Sequence, residues 1–394
     1  MATINADVLI IGCGIAGGIT ALRLADAGVP VVIATRSQDP AESNTFWSQG
    51  GIIFEGQEDT PERLAKDILA AGAGLSNPDA VKVLAENGPR LLEDVLINRL
   101  GIEFDVEGRT LSLAREGGHS LARIVHVADA TGKAIEVKLI QALKEHPNVT
   151  LLTQQTGIDL ITSSHHSVDR LQVYAPLTCV GAYFHDRRTR EVTKVMARAT
   201  VLATGGFGQI YAHNTNPLGA RGDGQAMAYR AGARVINMEF VQFHPTTFVG
   251  ANGARFLITE AVRGDGGRLV HADNTPFMDK YDAVWKDLAP RDVVARAIYQ
   301  EMLEHDQINV DYIGMPQELL QTIAYRYGYR YVEVGQRTQL RAINLKVVDM
   351  SPTDVLRSIG QQIDRQADVV LSYPTRTIRL TYKTPTVAGG KKRG

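Results

Sequence analysis

The chain is constrained most by its first thirty or so residues. Asp7 to Ile11, Asp-Val-Leu-Ile-Ile, is a largely apolar run of the kind found in strands buried on both faces, and it leads directly into Gly12-Cys13-Gly14-Ile15-Ala16-Gly17. Apolar residues then recur at helical spacing, at Ile15, Ile19, Leu22 and Ala25, until Gly28 supplies a glycine stop. Val31-Val32-Ile33-Ala34 reads as the next strand, completing a βαβ unit. A glycine triplet alone is weak evidence. One that follows a buried strand and opens a helix aims free backbone amides at a ligand, and a pyrophosphate is the natural occupant. Gly12 would serve the tight turn, Gly14 the close approach of phosphate and Gly17 the packing of helix on strand.

The second strand ends in Ala34-Thr35-Arg36, where an NAD or ordinary FAD fold places an acid for the ribose hydroxyls. Two readings follow. Arg36 meets the 2'-phosphate of NADP, or the chain is a flavoprotein that uses Ser/Thr followed by a basic residue at this point.

Further along, Thr60 to Ala71 and Asn77 to Ile97 carry helical periodicity, with Thr60 and Asn77 as caps and Pro61 and Pro78 at first helical positions. Short strands are expected at Val149–Leu152, Leu171–Tyr174, Gly181–Phe184 and Val201–Ala203, the last running into Thr204-Gly205-Gly206. Ser351-Pro352-Thr353-Asp354 opens a capped helix reaching about Gln366, and Arg376 to Lys383 alternates like a strand. Val387 to Gly394 is expected to be disordered.

With 394 residues, two or three domains are the prior. A net charge of −1 gives no reason to expect a nucleic-acid partner, although residues 306–394 carry 13 Lys/Arg against 8 Asp/Glu and are +5, leaving −6 for the rest. Cys13 and Cys179 lack metal-ligand spacing and fit a reducing compartment, so no metal is expected. No basic region precedes an apolar run at the N-terminus and no stretch has the length of a membrane span, so a cytoplasmic protein without membrane contact is expected.

Ser43-Asn44-Thr45-Phe46-Trp47-Ser48-Gln49-Gly50-Gly51 resembles the flavin-contacting loop of the succinate dehydrogenase, fumarate reductase and L-aspartate oxidase flavoproteins. The resemblance continues in the family's order through Arg115-Glu116-Gly117-Gly118-His119-Ser120, Asp129-Ala130-Thr131-Gly132, Ala203-Thr204-Gly205-Gly206 and Gly222-Asp223-Gly224. It then takes in Gln242-Phe243-His244-Pro245-Thr246, Thr259-Glu260-Ala261-Val262-Arg263-Gly264 and Ala289-Pro290-Arg291-Asp292-Val293-Val294, covering roughly residues 5 to 300. It implies an α/β fold: an FAD-binding Rossmann-like domain over 1–235, an inserted α+β capping domain over 236–305 and an atypical basic C-terminal segment over 306–394. FAD contacts are implied at Gly12, Cys13, Gly14, Ile15, Ala16, Gly17, Arg36, Asn44, Thr45, Phe46, Ser48, Gln49, Gly50, Gly51 and Asp223. Respiratory members carry a histidine for covalent attachment where this chain has Asn44, so the resemblance implies noncovalent FAD.

The resemblance implies that Glu116 meets the substrate amino group, as in L-aspartate oxidases, and a carboxylate suits an ammonium that succinate lacks. The resemblance assigns His244, Thr259 and Glu260 to the site wall, with Glu260 in hydrogen bonding or proton handling. Arg291 takes the place of the arginine that exchanges a proton with substrate carbon, although chemistry alone suggests carboxylate binding by a guanidinium that rarely deprotonates. The implied activity is oxidation of L-aspartate to iminoaspartate with oxygen or fumarate as acceptor. That is the first step of NAD biosynthesis through quinolinate, with quinolinate synthase as a downstream partner. A soluble fumarate reductase or succinate dehydrogenase-like enzyme and a non-catalytic FAD-binding protein are the alternatives. After Glu304 the family's His-Tyr-X-X-Gly-Gly and Gly-Leu-Tyr-Ala-X-Gly-Glu segments have no counterpart.

Overall fold

The computed structural model describes residues 2–211, 214–249, 255–264, 266–305 and 308–383. Contacts divide the chain into two compact units, Met1–Arg268 and Leu269–Gly394.

The first unit is built on the opening βαβ segment. Strand β1 (Ala2–Ile11), helix α1 (Ile15–Asp26) and strand β2 (Val31–Ala34) form as the apolar periodicity dictates. Gly28 takes φ +83°, the left-handed stop that ends the helical segment. Helix α2 (Thr131–Glu145) leads into β3 (Val149–Leu152), followed by β4 (Gln155–Thr162), β5 (Cys179–Asp186) and β6 (Val192–Leu202). The sheet order is β3-β2-β1-β6-β5-β4. The first four strands are parallel, β5 runs antiparallel to β6, and β4 runs antiparallel to β5.

The opening strands read as continuous apolar runs because both faces are covered. Ile10 and Ile33 join Leu22, Ile135, Leu139 and Leu143 in a core on the side of α1 and α2. Leu9, Ile11, Val32 and Ala34 join Phe184, Val195 and Met227 on the other. β6 pairs beside β1 from Ala2 opposite Thr193 to Ile11 opposite Leu202, so that Ala203 to Gly206 emerge next to Gly12. Two chain segments nearly two hundred residues apart therefore meet at the carboxyl edge of the parallel sheet, where open α/β folds bind their ligands.

Two local expectations need correction. Leu171–Tyr174 is no strand: Arg170–Tyr174 is a 3-10 turn capped by the Asp169 side chain, and Leu171, Val173 and Tyr174 are exposed with no neighbouring strand to pair with. The single helix expected from Asn77 to Ile97 is an α-helix over Pro78–Leu91 that continues as a π-helical stretch over Leu92–Arg99. Pro89 lies inside that helix and donates no hydrogen bond, and the wider turns follow it.

The second unit contains helix α3 (Arg291–His305) and an α+β assembly. Ile308–Gly314 pairs antiparallel with Ile343–Met350, and a second sheet has the order Arg330–Val334, Thr377–Tyr382, Ala367–Ser372. The capped helix start at Ser351 holds, its hydroxyl accepting from Asp354 N over Pro352–Ile363. Leu320, Ile323, Val355, Ile359, Ile378 and Leu380 are fully or almost fully buried in one apolar core, which also takes Leu303 of α3. Thr353 Oγ1 donates to the Leu303 carbonyl at 2.9 Å, and the Arg376 guanidinium lies over the Tyr299 and Tyr329 rings at 5.2 and 5.7 Å. The last two turns of α3 are thus held by the segment that follows it. Val387–Gly394 lies outside the described residues.

Candidate functional site

Three segments converge at the start of α1. A Cβ added at Gly12, which has φ +105°, would lie 2.2 Å from the Ala203 carbonyl oxygen, and one at Gly17 would lie 2.0 Å from the Gly12 oxygen. Gly14 is the residue before the helix, and no acidic side chain occupies the first turn. Ile15 N donates to Thr45 Oγ1 at 3.0 Å, while the next amides have no acceptor within their own helix. Cys13 points away from this opening, its thiol donating to Pro40 O at 2.8 Å, and burial pushes it up to about 11, so it stays neutral.

The loop expected to contact flavin forms the second wall. Ser43 caps the short helix Asn44–Trp47 by accepting from Phe46 N at 3.2 Å. Asn44 faces Gly205, whose Cβ would lie 3.7 Å from its amide nitrogen. Ser48 O accepts from Gly132 N at 3.0 Å, and the Lys133 ammonium lies over the Phe46 ring. A Cβ on Gly132 would sit 1.9 Å from Thr45 O, which is why Thr131-Gly132 begins α2 there. Gln49 Oε1 is buried without a hydrogen-bond partner. Glu116 Oε1 accepts from Gly51 N at 3.4 Å and lies by Gly50, so the 115–120 loop is docked onto the flavin loop.

At the other end, Arg36 Nη1 donates to Leu218 O at 3.1 Å. Burial, then the nearby Arg221 and Arg187, hold its guanidinium below the ordinary arginine range, while Asp223 acts the other way. Asp223 opens the helix Asp223–Arg230 and is paired with Arg221 at 2.7 Å.

The 115–120 loop owes its shape to a residue whose role the sequence did not reveal. Arg123 is fully buried and forks onto Asp59 at 2.7 and 3.0 Å, with Nη1 on Asp67 at 2.7 Å and beside His119 Nδ1 at 3.3 Å. Ser120 donates to Asp67 through both its amide and its hydroxyl. Burial pushes the Asp67 carboxyl up, but the Ser120 donors and Arg123 outweigh it and hold it below the usual range. Burial first, and the Arg123 charge second, push the His119 imidazole down, so it is neutral at pH 7. We expect Arg123→Met to cost about 3–5 kcal/mol, since it strands two carboxylates away from water. Urea unfolding measures this, and a loss below about 1 kcal/mol would contradict the network.

Glu260 meets the same loop. It is buried, accepts from Gly117 N at 2.9 Å and lies 3.7 Å from the buried Arg263 guanidinium, a second residue whose role the sequence left open. Thr259 Oγ1 accepts from Ala261 N at 3.4 Å. His244 Nδ1 lies 3.0 Å from Thr246 O, and Thr246 Oγ1 donates to Ile258 O at 3.0 Å. The hairpin Thr247–Val249 with Arg255–Leu257 therefore brings His244 and Thr259–Glu260 together at its open end. Arg291 belongs to the second unit and is the first residue of α3.

The profile of the FAD binding domain family matches residues 7–373. The chain belongs to that family. FAD, not NADP, is the cofactor. The cradle fits FAD: glycines stand where a Cβ would strike backbone, the helix start is free of acid, and the buried Gln49 oxygen lacks a partner in the flavin loop. This FAD-binding domain is 44% identical over 302 residues to L-aspartate oxidase 1 of Ralstonia nicotianae, an alignment covering 76% of this chain and 55% of that one. It is also 44% identical to the L-aspartate oxidase of Halobacterium salinarum, over 77% of this chain and 57% of that one. The chain thus spans about half the length of the curated relatives it matches. Among solved structures, an E. coli quinol fumarate reductase superposes with a TM-score of 0.69 at 27% identity, covering 79% of this chain and 52% of that one. Among the described residues no helix is long and apolar enough to cross a membrane and no group of acid, histidine and cysteine side chains forms a metal site.

Proposed function

We infer that the chain oxidises L-aspartate to iminoaspartate, with oxygen or fumarate as the acceptor. The carrying observation is Glu116: its carboxylate is held against the Gly51 amide, in a loop pinned by the buried Arg123 and by Glu260. An acid fixed at the flavin loop is a partner for a substrate ammonium and a repellent for a substrate that has only carboxylates.

Bound FAD supplies the acceptor for the hydride equivalent leaving the substrate Cα. The chain's residues align and neutralise. Glu116 takes the ammonium. His244 is assigned to a substrate carboxylate through a proton on Nε2, the tautomer in which Nδ1 accepts from Thr246 N at 3.3 Å, and Thr259 adds a hydroxyl. Glu260, which accepts from Gly117 N beside the buried Arg263, is assigned to hydrogen bonding or proton handling and not to direct anion binding. Arg291 is assigned to the substrate, as proton partner of the carbon or as carboxylate ligand.

The test is an anaerobic titration of the full chain loaded with FAD. Bleaching of the flavin absorption by aspartate and its slow or absent bleaching by succinate are expected. Bleaching by succinate alone supports the fumarate reductase reading, to which the structural likeness also points. Glu116→Gln is expected to raise the aspartate concentration for half-maximal bleaching roughly tenfold or more, as loss of a charge-assisted hydrogen bond of about 1.5–3 kcal/mol requires. An unchanged concentration would remove Glu116 from substrate binding.

A further inference from the structure

Glu136 has no part in the chemistry described above. It lies on α2, one turn beyond Gly132, with none of its surface exposed, and neither carboxyl oxygen has a well-formed hydrogen bond. A carboxylate in that state is expensive and persists for a reason. Its neighbours give the reason. The Ser43 hydroxyl is the side chain that reaches it, and Ser43 is also the residue against which a Cβ on Gly14 would pack, at 3.6 Å. Cys13, on the turn between β1 and α1, is coupled to it electrostatically. Glu136 thus lies behind the wall of the phosphate cradle, linked to it through Ser43.

We propose that Glu136 is a positioning residue of the FAD cradle, held as the neutral acid behind Ser43, and that its ionisation expels the cofactor. A neutral acid orients the Ser43 hydroxyl, which in turn caps the helix Asn44–Trp47 that walls the cradle. An ionised one puts a buried negative charge beside the site of a diphosphate, where little solvent screens the repulsion. Burial pushes Glu136 up to about 8, with Ser43 lowering it only in part, so the change falls within reach of ordinary buffers.

Few other groups compete in that range. Among the elements packed on α2, the helix Asn44–Trp47 and strand β3 carry no titratable side chain. On α1, Arg23 and Asp26 lie at the far end, and Asp26 is tied to Arg99 and His146. Cys13 titrates only near 11, under burial and the influence of Glu136 and Asp39. Lys133, on the same helix, stands over the Phe46 ring.

The sign follows from linkage. The form that binds FAD carries the proton, so affinity is full below about pH 8 and falls about tenfold per pH unit above it. The experiment measures the FAD dissociation constant of the full chain by flavin fluorescence from pH 6 to 9.5, for wild type and Glu136→Gln. A bend near pH 8 in wild type and a flat profile in the variant are expected. Calorimetry of FAD binding to wild type at pH 9, in buffers of different ionisation enthalpy, adds a measurement that needs no variant: uptake of about one proton is expected. Equal heats in all buffers, a wild-type profile without the bend, a bend that persists in Glu136→Gln, or no FAD binding at any pH would each overturn the proposal. None of these readouts involves aspartate, so they stand apart from the proposed oxidation.

Discussion

Gly12→Ala is expected to yield a chain that no longer retains FAD through gel filtration and that melts well below wild type. The backbone at Gly12 has φ +105°, a region that costs an L-residue roughly 1–3 kcal/mol. The larger difficulty is steric. The new methyl would lie 2.2 Å from the Ala203 carbonyl oxygen and 2.7 Å from its carbon, and both atoms belong to backbone anchored by the β1–β6 ladder. Relief requires β6 to move from β1 or the turn to open, and either change displaces the free amides at the start of α1, where a diphosphate is expected to bind. Gly28→Ala is the control. It also has positive φ, +83°, but nothing lies within 4 Å of its Cβ, so it carries only the backbone strain and keeps the cofactor. Flavin absorption after gel filtration separates the two cases. Equal loss from both variants would show that strain alone, and not closure of the cradle, was responsible.

Arg291→Ala is expected to keep FAD and fold while aspartate-dependent bleaching slows by at least about a hundredfold to a thousandfold, the range for removing one preorganised donor. The side chain opens α3, whose last turns are bolted to the following segment through Leu303, Tyr299, Thr353 and Arg376. That helix is therefore a rigid mount, and loss of one guanidinium at its start leaves the mount in place. The FAD binding constant of the variant, measured in parallel, serves as the internal reference. Rapid-mixing absorbance under argon measures the rate. A rate within threefold of wild type would remove Arg291 from the chemistry, and Arg291→Lys distinguishes a need for charge from a need for the planar fork.

The cradle is legible in the amino-acid sequence because it is local. β1, α1 and β2 follow from apolar spacing, a glycine triplet and a glycine stop within thirty residues, and the motifs around Glu116, His244, Glu260 and Arg291 stand in order along the chain. Local signals also mislead where the competing effect is local but weak, as at Leu171–Tyr174, where β-prone residues find no strand to pair with. Pro89 is visible in the sequence, but its effect on helical register depends on what the following turns pack against.

Tertiary structure decided the rest, and the physical reason is the same each time. Nothing in the residues around Arg123 states that its guanidinium will be sealed from water between Asp59 and Asp67, more than fifty positions away. The link between Glu136 and Ser43 spans more than ninety positions, and it arises because Gly132 lets α2 close on the flavin loop. The segment after residue 306, whose composition showed only a positive charge, supplies a buried core of its own and a grip on α3. A sequence displays periodicity and turn chemistry within a few residues; burial and pairing depend on sheet order and on which distant surfaces are pressed together. By itself it determined a dinucleotide cradle at the head of the chain, and only the folded chain decided which buried polar groups lie near that cradle and brace the loops around it.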